Sequence, residues 1–303
     1  MTDDEIPKGL SDAAKRCVNE ILDVVVPYPD YSLAQQGALK VILYMLDVKL
    51  PMGVLVMANP GMGKTLFLSL IKRSLAIHAS PLKLDRPVLE LVLDSAVDVY
   101  QLAGKMMLAL GYPALPMRPT LPNMTTMIDT AIERLKPVAL LIDEGQHVCD
   151  GKNRENTART LTDWLKVRMD RHNLPVIMTG TRTLETISEI NSQFVSRASA
   201  KYFINPFAYG DAWRQVLAAI AGSVRSIDLE SLSAIGVSRL VHDAAQGNMR
   251  DLKKLLVFSC IRAIDEGATQ LTTKHLAEGF DDAFGGQGGK VNPFRKAVEK
   301  GKP

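Results

Sequence analysis

The 303-residue chain has little of what would mark several protein classes. Aromatic residues make up 6% of it, with two tryptophans. That is too few for a stacking-based reader of RNA or an aromatic-rich sandwich. Its three cysteines, Cys17, Cys149 and Cys260, have neither paired nor metal-type spacing, which excludes a disulfide framework and points to free thiols in a reducing compartment. No apolar run approaches the ~18 residues that cross a bilayer. The amino-terminal MTDDEIPKGL is acidic where a secretory leader is basic and then apolar. A cytoplasmic protein without membrane attachment is the expectation. A bulk excess of positive charge is also lacking: 36 Lys and Arg face 33 Asp and Glu, a net charge of +3. The last 19 residues hold +4 (Lys290, Arg295, Lys296, Lys300 and Lys302 against Glu299), leaving −1 for the rest. Any DNA contact must therefore be local.

What is present is a globular composition, 47% apolar and 23% charged, on a chain longer than one core comfortably fills. Residues 11–26 and 32–46 have helical apolar spacing, the second with Ser32 as a plausible N-cap. Gly53 to Ala58 is a continuous apolar run that suits a strand buried on both faces. Thr65 to His78 follows as a helix. The alternation continues with strands over 87–93, 137–142, 174–179 and 201–204, and helices over 97–110, 125–135 and 154–171. Residues 112–124 hold four prolines and read as a stiff loop. Strands alternating with helices predict right-handed βαβ units and a parallel α/β sheet. After Pro206 the strand pattern stops, and 210–282 reads as helices. The expected division is an amino-terminal extension over 1–34, an α/β domain over 35–206, a small all-α domain over 207–284, and a flexible, glycine-hinged basic tail over 285–303.

The chemistry concentrates where the first strand ends. Ala58-Asn59-Pro60-Gly61-Met62-Gly63-Lys64-Thr65-Leu66 lies between a buried strand and a helix, the place of a phosphate-binding loop. The glycines let backbone N–H groups curl around phosphate oxygens, and the helix adds its positive end. Lys64 would reach the β- and γ-phosphates of ATP and Thr65 would ligate Mg²⁺. Ala58 stands where the strict pattern has Gly. Seventy-nine residues after Lys64, the apolar run 138–142 ends in Asp143-Glu144. Asp143 would hold the Mg²⁺ water shell and Glu144 would orient or deprotonate the attacking water. The strand over 174–179 leads into Thr179-Gly180-Thr181, where Thr181, with Thr179 as the alternative, would touch the γ-phosphate or else cap the following helix. Arg197, just before the last strand, suits a finger that crosses a subunit boundary to a neighbour's γ-phosphate. Arg250, in Gly247-Asn248-Met249-Arg250, could reach the nucleotide from the α-helical side.

Together the loop, the Asp-Glu strand, the Gly-Thr, the arginine before the last strand and the Gly-x-x-Arg helix resemble an AAA+ ATPase. More narrowly, IDEGQHV, LPVIMTGTRTL and QGNMRDLKKLLVFSCIRAIDEGATQLTTKHL resemble the TniB/TnsC type, transposon-encoded regulators related to phage Mu B and ExeA-type ATPases. The resemblance spans about residues 35–283. It implies a three-layer αβα P-loop fold with an all-α lid. It also implies ATP-dependent rings or helical filaments on duplex DNA without strong sequence preference, and partnership with a transposase and a target-selection protein. Hydrolysis would dismantle the assembly. Carried onto this chain, Lys64, Thr65, Asp143 and Glu144 would form the ATPase core, Arg197 the trans-acting finger and Arg250 the lid sensor. Thr stands at the sensor strand where many AAA+ proteins use Asn.

Candidate DNA contacts are Lys105 and, in the proline-rich loop, Arg118 and Thr120, with a solvated surface group as the alternative for each. The basic tail would touch phosphate or dock on a partner, with Phe294 as a partner anchor rather than core. Other classes consistent with the loop are an ATPase of secretion or envelope machinery and a nucleotide-gated scaffold with little hydrolysis.

Overall fold

The computed structural model describes residues 9–26, 28–50, 52–79, 88–94, 97–113, 119–149, 155–285 and 289–295. The chain divides into two units. One is Pro29–Asn205; the other joins the residues up to Tyr28 with those from Pro206 onward. Helix α1 (Asp12–Asp23) belongs to the second unit, although it comes first in the chain.

The first unit is built on one parallel sheet. Its strands are β1 (Gly53–Ala58), β2 (Val88–Val92), β3 (Ala139–Asp143), β4 (Val176–Gly180) and β5 (Ala200–Ile204), in the order β2-β3-β4-β1-β5. Every residue of β1, β3 and β4 is buried, as expected of central strands covered on both faces. Alternate side chains divide between two layers. Leu55, Met57, Leu140, Ile142, Val176 and Met178 share a core with α4 (Val99–Ala109), α5 (Leu121–Leu135), α6 (Glu155–His172) and α8 (Ser192–Arg197), while the short α7 (Ile187–Ile190) packs beside α6. Helices α2 (Pro29–Val48) and α3 (Lys64–Ala79) pack on the sheet with a separate set of buried residues, among them Ala38, Ile42, Phe67 and Ile71. The result is the αβα sandwich of a P-loop fold.

Local chemistry sets the helix boundaries. Asp98 and Gln101 form a reciprocal capping box at α4. Helix α2 begins at Pro29, not behind an N-cap at Ser32, because proline at the first helical position forgoes an N–H that has no intrahelical partner there. Helix α5 begins at Leu121, four residues before the expected start, with Thr120 as its N-cap and Pro122 in its first turn. A stretch read as a stiff loop through residue 124 is therefore partly helix.

The second unit contains α9 (Asp211–Ser223), α10 (Ile235–Ala245), α11 (Met249–Asp265) and α12 (Thr273–Phe284). Trp213 is fully buried and donates from Nε1 to the Ser238 carbonyl at 3.0 Å. Helix α1 packs on α11, with Ala14, Cys17 and Ile21 buried. Lys253 of α11 donates to the Leu22 and Val24 carbonyls at 2.6 and 2.8 Å, satisfying carbonyls at the end of α1 that lack helical partners. Glu20 accepts from the Arg225 and Ser226 N–H groups at 2.8 and 2.9 Å. The described residues before 35 thus divide between the units: α1 belongs to the helical one and α2 packs on the sheet.

The described part of the tail, 289–295, is not free. Phe294 is fully buried, edge-on to Phe280 with ring centroids 6.3 Å apart. Asn292 donates to the Ala277 carbonyl and to Asp281 at 2.8 and 2.9 Å, and accepts the Phe294 N–H at 3.0 Å. Arg295 pairs with Asp281 and Lys290 with Asp251. Phe294 is core, not a partner anchor, and these cations are spent on α11 and α12. Residues 296–303 lie outside the described ones.

Candidate functional site

Because β4 lies between β1 and β3, with Val56 level with Thr179 and Ile142 level with Met178, the carboxyl ends of these three strands lie side by side. Three segments far apart in the sequence meet there: the glycine loop after β1, Asp143-Glu144 at the end of β3, and Thr179-Gly180-Thr181 at the end of β4.

The loop turns on Gly61 and Gly63, whose φ values of 87° and 84° lie in the left-handed region that glycine enters without a Cβ penalty. The Met62 N–H closes the turn on the Asn59 carbonyl at 3.2 Å, and the Phe67 N–H returns to Gly63 at 2.8 Å as the helix begins. Met62 is buried and anchors the loop, while Asn59, Pro60, Thr65 and Leu66 face outward. Lys64, the first residue of α3, is only 8% exposed, and its one carboxylate partner among the described residues is Glu144, at 3.9 Å. A buried ammonium so loosely paired calls for an anion beside it.

Asp143 joins all three strand ends. It is 4% exposed. Its Oδ2 accepts from the Thr65 hydroxyl at 2.6 Å; its Oδ1 accepts from the Thr179 hydroxyl at 2.7 Å and from the Glu144 N–H at 2.8 Å. A threonine hydroxyl beside a carboxylate is a hard-oxygen donor set that fits Mg²⁺. The described residues hold no group of three or more His, Cys, Asp or Glu able to bind a metal. Mg²⁺ held here would complete its coordination with water and phosphate oxygens, as is usual for that ion. Glu144 has left-handed backbone, φ 54°, a conformation that costs a non-glycine residue about 1–2 kcal/mol.

The two threonines considered at the β4 end have different surroundings. Thr179 is fully buried and bonded to Asp143, whereas the Thr181 hydroxyl turns to Thr183 at 3.1 Å. The residue that meets Thr181 is one the sequence reading passed over. Gln146, 7% exposed, accepts the Thr181 N–H on Oε1 at 3.1 Å and donates from Nε2 to Glu144.

Arg197, at the end of α8, pairs with Asp170 of α6 at 3.2 and 3.3 Å. Arg250 is exposed in the first turn of α11, in the helical unit, beneath the Asn248 cap. Lys105 is paired with Asp94, whose carboxyl that bond holds below its usual range. The Thr120 side chain caps α5 through the Asn123 N–H. Arg118 lies outside the described residues.

A cavity of about 450 Å³ is lined by Met45, Lys49, Ile132, Lys136, Arg171 and His172, among others. Its cations lie at the carboxyl ends of α2, α5 and α6, where they answer exposed carbonyls and the helix dipole. Arg171 and His172 are also bound to Asp129, at 2.7 and 3.1 Å. Much of its charge is thus engaged inside the fold.

No helix among the described residues is long and apolar enough to cross a membrane. Residues 51–188 match the AAA domain family model. No curated protein matches the sequence. Among solved structures, the ORC2 protein of Aeropyrum pernix in ADPNP and ADP complexes aligns over 91% of this chain and 72% of its own, with TM-score 0.68 and 16% identity. Cdc6p from Pyrobaculum aerophilum aligns over 94% and 74%, with TM-score 0.64 and 12% identity. Drosophila ORC bound to DNA aligns over 93% and 69%, with TM-score 0.61 and 16% identity. At such identities the likeness is one of fold, and the fold is the AAA+ P-loop fold.

Proposed function

We propose that this chain is an AAA+ ATPase that assembles as a ring or helical filament on duplex DNA in its ATP state, links a target-selection protein to a transposase, and disassembles on hydrolysis. The observation that carries the ATPase reading is the single carboxylate of Asp143 joined to both Thr65 and Thr179, beside Lys64 and Glu144. In this reading the N–H groups of Asn59 and of 61–64 cradle the phosphates around Pro60, which has no N–H to give, with Leu66 following in the first turn of α3. Lys64 gives up its long contact with Glu144 for the β- and γ-phosphates. Mg²⁺, when bound through Thr65 and Asp143, neutralises charge on the phosphate oxygens. Glu144 orients the attacking water and takes its proton. Arg197 serves the neighbouring subunit; its exposed pair with Asp170 costs little to open, since surface ion pairs are worth about 0–1 kcal/mol. Arg250 acts as the lid sensor.

The transposition assignment rests on the resemblance of IDEGQHV and the segments after it to TniB/TnsC-type regulators. A second reading, a DNA-bound ATPase of the initiator kind, is favoured by the fold shared with the ORC and Cdc6 proteins. Negative-stain imaging of the protein on random-sequence duplex DNA, with and without a slowly hydrolysed ATP analogue, tests the assembly. Nucleotide-dependent rings or filaments are expected, and Glu144→Gln should retain them with ATP itself. Bare DNA in every sample overturns the DNA-assembly reading. Strand-transfer assays with a cognate transposase separate the two readings: stimulation that needs ATP supports the first, and none favours the second.

A further inference from the structure

We propose that Gln146 is the positioning residue for Glu144, holding the carboxylate in place and tying it to the end of β4; this rests on the ATPase reading above. The bonding pattern admits one orientation of its amide. The Thr181 N–H can only donate, so it takes Oε1, at 3.1 Å. That leaves Nε2 to donate to the Glu144 carboxylate. Gln146 therefore joins these two groups, and it does so while nearly excluded from solvent. Backbone geometry supports the bridge from both sides. Glu144 enters the turn with left-handed backbone, and the next residue, Gly145, runs so close to β4 that an added Cβ would strike the Met178 side chain and come within 3.1 Å of the Thr179 carbonyl. At Gly180 an added Cβ would lie 2.8 Å from Gln146 Oε1. Gly180 thus leaves room for this amide and for Leu184, while Gly145 lets the turn pass close to Met178 and Thr179.

The consequence is mechanical. Glu144 has one oxygen on Gln146 and the other 3.9 Å from Lys64. When Lys64 turns to a phosphate, Gln146 is the contact that remains to fix the carboxylate, and its far end is attached to the strand end that carries Thr179 and Thr181. Any shift of that strand end is passed to Glu144 through one rigid amide. A glutamate at 146 would keep the acceptor for Thr181 but set a like charge against Glu144. A methionine would keep the approximate volume and lose both bonds.

The test is steady-state hydrolysis of Mg-ATP, together with equilibrium binding of a fluorescent ATP analogue, on the full chain. Gln146→Met should lower kcat about 100-fold, the size of effect that ångström-scale misplacement of a reacting group produces, with nucleotide affinity unchanged. Gln146→Glu should lose at least as much, although it can still accept from Thr181. In a Glu144→Gln background Gln146→Met should cause no further loss, because the residue acts through Glu144. Gly180→Ala, which crowds Oε1 and Leu184 while keeping the amide itself, should lower kcat in part. Retained kcat in Gln146→Glu overturns the assignment, as does an equal loss from Gln146→Met with and without Glu144. If parent hydrolysis does not depend on Glu144, the ATPase reading fails and takes this assignment with it. If it does depend on Glu144 and the Gln146 variants are unaffected, the assignment alone fails.

Discussion

Thr65 Oγ1 and Asp143 Oδ2, 78 positions apart in the chain, lie 2.6 Å from each other. The bond spans the distance between the start of α3 and the end of β3, and it exists because β4 holds β1 and β3 at a fixed spacing. Asp143 uses its other oxygen for Thr179 on that intervening strand. Substituting Thr179 with valine keeps the shape and removes the hydroxyl. We expect Thr179→Val to bind nucleotide in the absence of Mg²⁺ as the parent does, and to need more Mg²⁺ for half-maximal hydrolysis. An unchanged Mg²⁺ titration would leave Thr179 as a packing residue.

Lys64→Ala should abolish ATP binding. The substitution removes the buried cation that the loop offers to phosphate and leaves Glu144 as uncompensated negative charge at the site. Isothermal titration with ATP decides the matter: binding at parental affinity would mean that the loop holds no phosphate.

Phe294→Ala should destabilise the helical unit by about 3–5 kcal/mol, the range for truncating a buried aromatic side chain. Denaturant melting followed on that unit measures it. Removing residues 296–303 while keeping Phe294 should cost much less. Equal stability of the Phe294→Ala protein and its parent would return the residue to the role of a surface anchor.

Acid should loosen the attachment of α1. The N–H of Arg225 holds the Glu20 carboxyl below its usual range, against the opposing effect of burial and with the Ser226 bonds assisting. A carboxylate with a depressed folded-state pKa stabilises the fold fully above its unfolded value, about 4.3, and loses that contribution as pH falls through the lower folded value. Thermal melts of Glu20→Gln and parent should differ at pH 7 and converge in the acid range. A difference that persists unchanged at low pH would show that charge on Glu20 is not what holds the contact.

Much of the site was legible because it is written in contiguous residues. The run from Gly53 to Thr65 carries its own strand, turn and helix signals, and Val138 to Glu144 does the same for the second carboxylate segment. Gln146 was not legible. Its role depends on Thr181, 35 positions away, and on two glycines whose spacing from other chain segments no local pattern reveals. The same holds for Phe294, a lone aromatic among polar residues. Its partner Phe280 and its anchor Asp281 lie on a helix more than ten residues earlier, across Gly285. Thr120 reads as a loop residue because the prolines at 119 and 122 obscure the start of α5, where its hydroxyl serves as the cap. Helix α1 was recognisable as a helix, but its partner α11 is separated from it by the entire α/β unit.

That separation bears on how the chain is made. Synthesis proceeds from the amino terminus at about 5–20 residues per second, and units fold as they are completed. Helix α1 is made before the α/β unit, yet the helices it packs on, chiefly α11 and also α9, come after it. A twelve-residue helix is marginal in water without packing. While residues 29–205 are made, α1 must therefore wait, its apolar side uncovered, as the α/β unit behind it closes its sheet. Docking of α1 on α11 then follows synthesis of the whole unit that separates them.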